Sequence, residues 1–185
     1  MKEVNNDVFA TQANSPKYTG KPYSELDCQG FVEQVLKDCN VRKSDGSPYN
    51  WRGSNSMWRN ALLWKGSIDE CKRIYGKVPV GAWCFIVKND GGERERGYND
   101  NEGNATHVGI ICYSPDKTEN CVRDSTQSRT RDGVGYRTLN SFTHIGLPMM
   151  ITYDFNDNIS DVTDTVTKQM ALEALETLTK YIKGV

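Results

Sequence analysis

Hydrophobic period changes abruptly along this chain, and the change narrows the fold class at once. Phe31, Val32, Val35, Leu36 and Cys39 recur at steps of one, three and four, the apolar stripe of a helix over 27–39. The segments 80–87 and 107–113 are instead near-continuous apolar runs of strand length, and 121–125 begins a third strand. One amphipathic helix among buried strands predicts an α+β fold, with the helix packed on an antiparallel sheet. Asp27 is the expected N-cap and Asn40 the expected stop. Ser114-Pro115-Asp116-Lys117 reads as a turn, which makes 107–125 a β-hairpin.

The rest of the chain is less regular. Residues 1–26 are polar, carry Pro16, Gly20 and Pro22, and read as an irregular lead-in. The 41–75 stretch is loop-rich yet holds Trp51, Trp58 and Trp64, with 57–64 a short helix; 89–103, with four glycines, reads as a surface loop. Beyond 155 the composition shifts to Asp and Thr and then to an amphipathic pattern of Val166, Met170, Leu172, Leu175, Leu178 and Ile182. The expected organisation is one domain over 1–155 and a C-terminal helix or connector over 156–185, suited to self-association or to joining a further domain.

Composition excludes several function classes. The 23 Lys and Arg nearly cancel the 24 Asp and Glu, so charge does not recruit nucleic acid or an anionic membrane. No run approaches the ~18–20 apolar residues of a membrane span, and the polar start lacks the apolar core of a signal peptide. Six cysteines are too sparse for a disulfide framework, none has Cys-x-x-Cys spacing, and only two histidines are present. No metal or other cofactor is expected, and most of the cysteines read as small core residues.

Cys28 is the exception. In the first turn of the helix, unpaired N–H groups and the positive end of the helix dipole stabilise a thiolate and the oxyanion that its attack on a carbonyl creates. Position alone also fits a buried, inert cysteine. The candidate base is His107, which opens an apolar strand; His144 has no such setting. In a tight 107–125 hairpin Asp124 lies opposite His107 and orients it, whereas a bulge or wider turn makes Ser125 or Gln127 the partner. Arg123, Arg129, Arg131 and Arg137 form either a solvated hairpin face or an anion-binding rim.

Leu26-Asp27-Cys28-Gln29-Gly30-Phe31-Val32, then Val80-Gly81-Ala82-Trp83-Cys84-Phe85-Ile86, then Thr106-His107-Val108-Gly109-Ile110-Ile111 resemble, in this order, three motifs of the NlpC/P60 peptidases, papain-like cysteine hydrolases of bacterial cell walls. The resemblance covers about 18–140 and departs at Gln29, where the family has serine, and at Ala82, where it has aspartate. It implies a papain-like α+β fold with Cys28 as nucleophile, His107 as general base and Asp124 as the polar third member. Gln29 becomes the candidate oxyanion residue. Tyr23, or Tyr18, takes the place of a pocket tyrosine, and Arg123 or Arg129 pairs with the free carboxylate of a D-glutamate. The implied partner is a peptidoglycan stem peptide. The implied activity is hydrolysis of its amide bonds at the bacterial wall, with 156–185 leading to a wall-binding domain. The lack of an export signal, with a general resemblance to phage-borne wall hydrolases, fits an enzyme of phage or prophage delivered through a holin or tail, or a bacterial enzyme whose signal has been removed. An N-acetylmuramoyl-L-alanine amidase with the same dyad, and an inactive wall-binding module, are the alternatives.

Overall fold

The computed structural model describes residues 2–89, 98, 100–115 and 120–155. The expected C-terminal helix over 156–185 lies outside the described residues, as does most of the expected 89–103 loop. Within them, the chain is α+β, with four α-helices and a six-stranded antiparallel sheet.

The expected irregular lead-in contains a helix. Asn5 caps α1 (Asn6–Ala13) by accepting the Asp7 N–H, and Phe9, Ala10 and Ala13 turn inward. Its four apolar residues, of which Val8 stays exposed, leave too weak a period to read from sequence. Just before α1, β1 (Val4–Asn5) pairs in parallel with the last strand, tying the start of the fold to its end.

The helix read from the apolar stripe is α2 (Cys28–Asp38). It ends at the Cys39 cap, beyond which Asn40 takes the left-handed conformation with φ 58°. The tryptophan-bearing excursion is more ordered than expected. α3 (Ser54–Asn60) stops before Trp64, which lies in β2 (Leu62–Ser67), so the helix expected over 57–64 is half strand. α4 (Ile68–Tyr75) follows directly, with a Ser67/Glu70 capping box and Gly76 at φ 71° closing it. That box was present in the sequence as Ser67-Ile68-Asp69-Glu70.

β3 (Trp83–Lys88), β4 (Asn104–Tyr113), β5 (Asn120–Gln127), β6 (Asp132–Arg137) and β7 (His144–Pro148) complete the main sheet, in spatial order β2-β7-β3-β4-β5-β6; β8 (Ile151–Thr152) is the partner of β1. Side chains alternate between two cores. Trp83, Phe85, Val108 and Ile110 join Phe9, Phe31, Val32 and Val35 from α1 and α2. Cys84, Ile111, Val122 and Ile145 join Cys71 of α4 and Phe142 on the other face. Burial on both faces explains why the central strands read as apolar runs without alternation. No described helix is long and apolar enough to cross a membrane.

The hairpin register differs from the tight one. Cys112 faces Cys121 and Ile110 faces Arg123, after which no further β4–β5 pair forms. β5 continues with β6 alone, and the Ser125 hydroxyl bonds the Leu26 carbonyl just ahead of α2. The ladder thus opens at the place where the N-terminus of α2 arrives.

Candidate active site

The first turn of α2 is built by its cap. The Asp27 side chain accepts the Gly30 N–H at 2.6 Å, and the Asp27 carbonyl accepts the Phe31 N–H. Cys28 and Gln29 come before that first intrahelical bond, so their N–H groups have no partner within the helix. Cys28 sits at the positive end of α2 with 7% of its surface exposed. The Tyr23 hydroxyl donates to its Sγ at 4.0 Å. Burial, followed by the proximity of Cys28, pushes the Tyr23 pKa up to about 12, so Tyr23 stands beside the sulfur as a neutral phenol.

His107 is held from β4. Its Nε2 lies 2.6 Å from Asp124 Oδ2, and its ring stacks on Phe142 at 5.8 Å between centroids. With Nε2 engaged, Nδ1 is the nitrogen left for sulfur, and Cys28 lies near enough to the ring to act on its protonation. Burial pulls the His107 pKa down. The bond to Asp124, and then the hydrogen bond and charge of Cys28, outweigh burial and push it up to about 9.

Asp124 reaches this position without facing His107 directly. Carrying the Ile110–Arg123 register one residue further sets Asp124 level with Gly109, and a Cβ on Gly109 would lie 3.2 Å from Asp124 Cβ. The tight-turn register is therefore off by two residues, because six residues, not four, separate Tyr113 from Asn120. His107 bonds Asp124 diagonally, over the space that a glycine leaves open. On the other side Asp124 pairs with Gly135, and a Cβ there would lie 2.5 Å from Arg131 Nη1. A glycine on each flank thus admits one long side chain to the same carboxylate.

The result is a charge cluster around a carboxylate with no exposed surface. Arg131 Nη2 bonds Asp124 Oδ1, and Arg137 Nη1 bonds Oδ2 at 3.0 Å with its guanidinium 5.3 Å from the Phe142 ring. Burial would raise the Asp124 pKa, but His107 and then Arg131 hold it below the ordinary carboxylate range. Sequence reading named neither arginine as a site residue. Of its two options for the arginine stretch, a solvated face or an anion-binding rim, these two residues hold an anion, and that anion belongs to the protein. The flanking glycines of His107-Val108-Gly109 and Gly135-Tyr136-Arg137 were the available signal.

Other candidates stand elsewhere or have different contacts. The Gln29 amide is committed to a strut: it donates to Glu33 at 2.8 Å and to the Trp51 carbonyl, and it accepts the Gly53 N–H. What Gln29 offers an oxyanion is its main-chain N–H. Arg123, 1% exposed, donates to Thr19 Oγ1 at 2.7 Å and lies over Tyr136; Arg129 is exposed in the β5–β6 turn. Tyr18 is buried against Asp38 and Gln12. His144 contacts Thr143 and Trp58, Ser125 anchors Leu26, and Gln127 is exposed. Among the described residues, no group of three or more His, Cys, Asp or Glu is placed to hold a metal ion.

No protein-family model, no curated protein and no solved structure matches this chain. The functional reading therefore rests on the motifs and on the geometry of the site.

Proposed function

We propose that this chain is a thiol hydrolase that cleaves an amide bond in the stem peptide of peptidoglycan, next to D-glutamate, on the papain-like arrangement that the NlpC/P60 resemblance implies. One observation carries the reading. A cysteine at a capped helix N-terminus lies near enough to act on a histidine whose ring nitrogen is bonded, at 2.6 Å, to a fully buried carboxylate.

The arrangement suits acyl transfer. His107 takes the Cys28 proton, and Sγ attacks the amide carbonyl. As the carbonyl oxygen gains charge, it accepts the Cys28 N–H and the Gln29 N–H. Protonated His107 gives its proton to the leaving amine. It then draws a proton from the water that hydrolyses the thioester. Asp124 fixes the ring orientation and stabilises the imidazolium throughout. Arg129, exposed beyond β5, is the residue available to a substrate carboxylate.

Mass spectrometry of the fragments released from purified peptidoglycan, under reducing conditions, tests this directly. Wild type should release fragments cut next to D-glutamate. Cys28→Ala should release none while keeping its circular dichroism and Tm. Equal release by the variant would overturn the mechanism, and no release from walls of several types would overturn the substrate. A new L-alanine amino terminus would assign the bond to the amidase class instead.

A further inference from the structure

We propose that Cys112 and Cys121 are a redox pair that closes reversibly into an intramolecular disulfide across the β4–β5 hairpin. This site is separate from Cys28, and nothing in it depends on the hydrolase reading.

The two residues face each other in register, and their sulfurs are 3.7 Å apart in the reduced protein. Directly opposed residues of an antiparallel pair bring their β-carbons to about 4.5–5.5 Å, close to the ~3.5–4.5 Å that a disulfide spans. Side-chain rotation and a small closure of the pair supply the rest. The two sulfurs also differ in access: Cys112 is fully buried beside Ala10 and Val80, whereas Cys121 is partly exposed. One thiol is open to a small oxidant and the other is sheltered to resolve it.

The surroundings add positive charge. Arg123, two residues beyond Cys121 on the same face of β5, lies over the Tyr136 ring at 4.9 Å, and its buried Nε has no hydrogen-bond partner among the described residues. The hydrogen bond to Cys121 and burial push the Cys112 pKa well above the ordinary thiol value, and the Arg123 charge only partly opposes them. Cys112 is therefore held as a neutral thiol, and Cys121, the more exposed of the two, is the one that meets the oxidant.

A hydroperoxide supplies the oxidising equivalents. The Cys121 thiolate attacks the terminal peroxide oxygen, the O–O bond breaks, and the departing alkoxide leaves as an alcohol after gaining a proton. Cys121 is then a sulfenic acid. Cys112 attacks that sulfur and forms the S–S bond, and its proton passes to the departing hydroxide, which leaves as water. Two thiols and one hydroperoxide thus give one disulfide, one alcohol and one water. The bond staples the hairpin just before the ladder opens, and so fixes the register on which the His107–Asp124 contact depends.

The test uses the full chain carrying Cys28→Ala, so that oxidation at the candidate nucleophile cannot be mistaken for this reaction. Protein treated with hydrogen peroxide, or with dithiothreitol as control, is unfolded, alkylated with iodoacetamide and digested with trypsin. Cleavage after Lys117 and Arg123 places the two cysteines in different peptides. The expected result is loss of two alkylatable thiols and a linked pair of peptides, two hydrogens lighter than their sum, that dithiothreitol separates. Adding Cys112→Ala should abolish the link and leave Cys121 as a sulfenic or higher acid. Recovery of both peptides alkylated after peroxide, or of Cys121 linked to another cysteine or to a second chain, would overturn the proposal.

Discussion

A carboxylate with no exposed surface must have its charge balanced where it stands, and Asp124 meets His107, Arg131 and Arg137 there. The same contacts set the protonation of His107, because an anion at 2.6 Å favours the imidazolium that burial alone would disfavour. Asp124→Asn keeps the shape and removes the anion. The His107 pKa should then fall from about 9, and the alkaline limb of the rate of Cys28 alkylation should move to lower pH with it. Turnover should drop by about 100-fold or more, as expected when a positioned acid–base group loses its orientation. An unmoved alkaline limb would show that Asp124 does not control the imidazole. Gln29→Ala separates two roles in the same way. If the side chain is a strut for Trp51 and Gly53, its loss should cost stability of about 1–2 kcal/mol in denaturant unfolding and raise KM more than it lowers kcat.

At the scale of elements, the site forms where three pieces of chain meet: the first turn of α2, the splayed end of β4–β5, and the start of β6. The last junction is tight. Gly133 has φ 101°, and a Cβ on it would lie 1.9 Å from the Lys21 carbonyl oxygen, to which the Val134 N–H is bonded at 3.1 Å. One residue away, the Asp132 side chain accepts the Tyr23 N–H at 3.1 Å. This seam is what carries Tyr23 to the sulfur. Gly133→Ala adds both backbone strain and a main-chain clash, and should cost about 2–4 kcal/mol by denaturant unfolding. It should also displace Tyr23 and so change the rate at which Cys28 is alkylated. A variant with wild-type stability would show that the seam yields more readily than its geometry indicates.

Across the whole molecule, the buried cluster links folding to pH. The His107 pKa in the folded chain, about 9, lies above the ~6.5 of an unfolded histidine, so its contribution is fully present below about pH 6.5 and is lost as pH rises through 9. The Asp124 pKa is lowered, so its contribution is present above the unfolded carboxyl pKa of ~3.9 and is lost as pH falls through the lower folded value. Tm should therefore hold between about pH 4 and 6.5 and decline above it. The alkaline decline should be smaller in His107→Gln, measured by thermal unfolding across the same buffers. Sequence alone determined the parts of this molecule whose cause is local. α2, its Asp27 cap and the Asn40 stop follow from period and capping, and the central strands follow from apolar runs that only a doubly covered sheet accommodates. Cys28 and His107 could each be picked out because of where they fall in those elements, whereas Asp124 follows from a tight register that the sheet does not have. Tertiary structure decided what depends on partners distant in the chain. It made a helix of Asn6–Ala13 by burying three residues, set the hairpin register two residues from the tight one, and turned Arg131 and Arg137 from candidate surface charges into the clamp on Asp124. Those outcomes depend on which strands lie side by side and where a glycine leaves room between them, a property of the assembled sheet and not of any single segment.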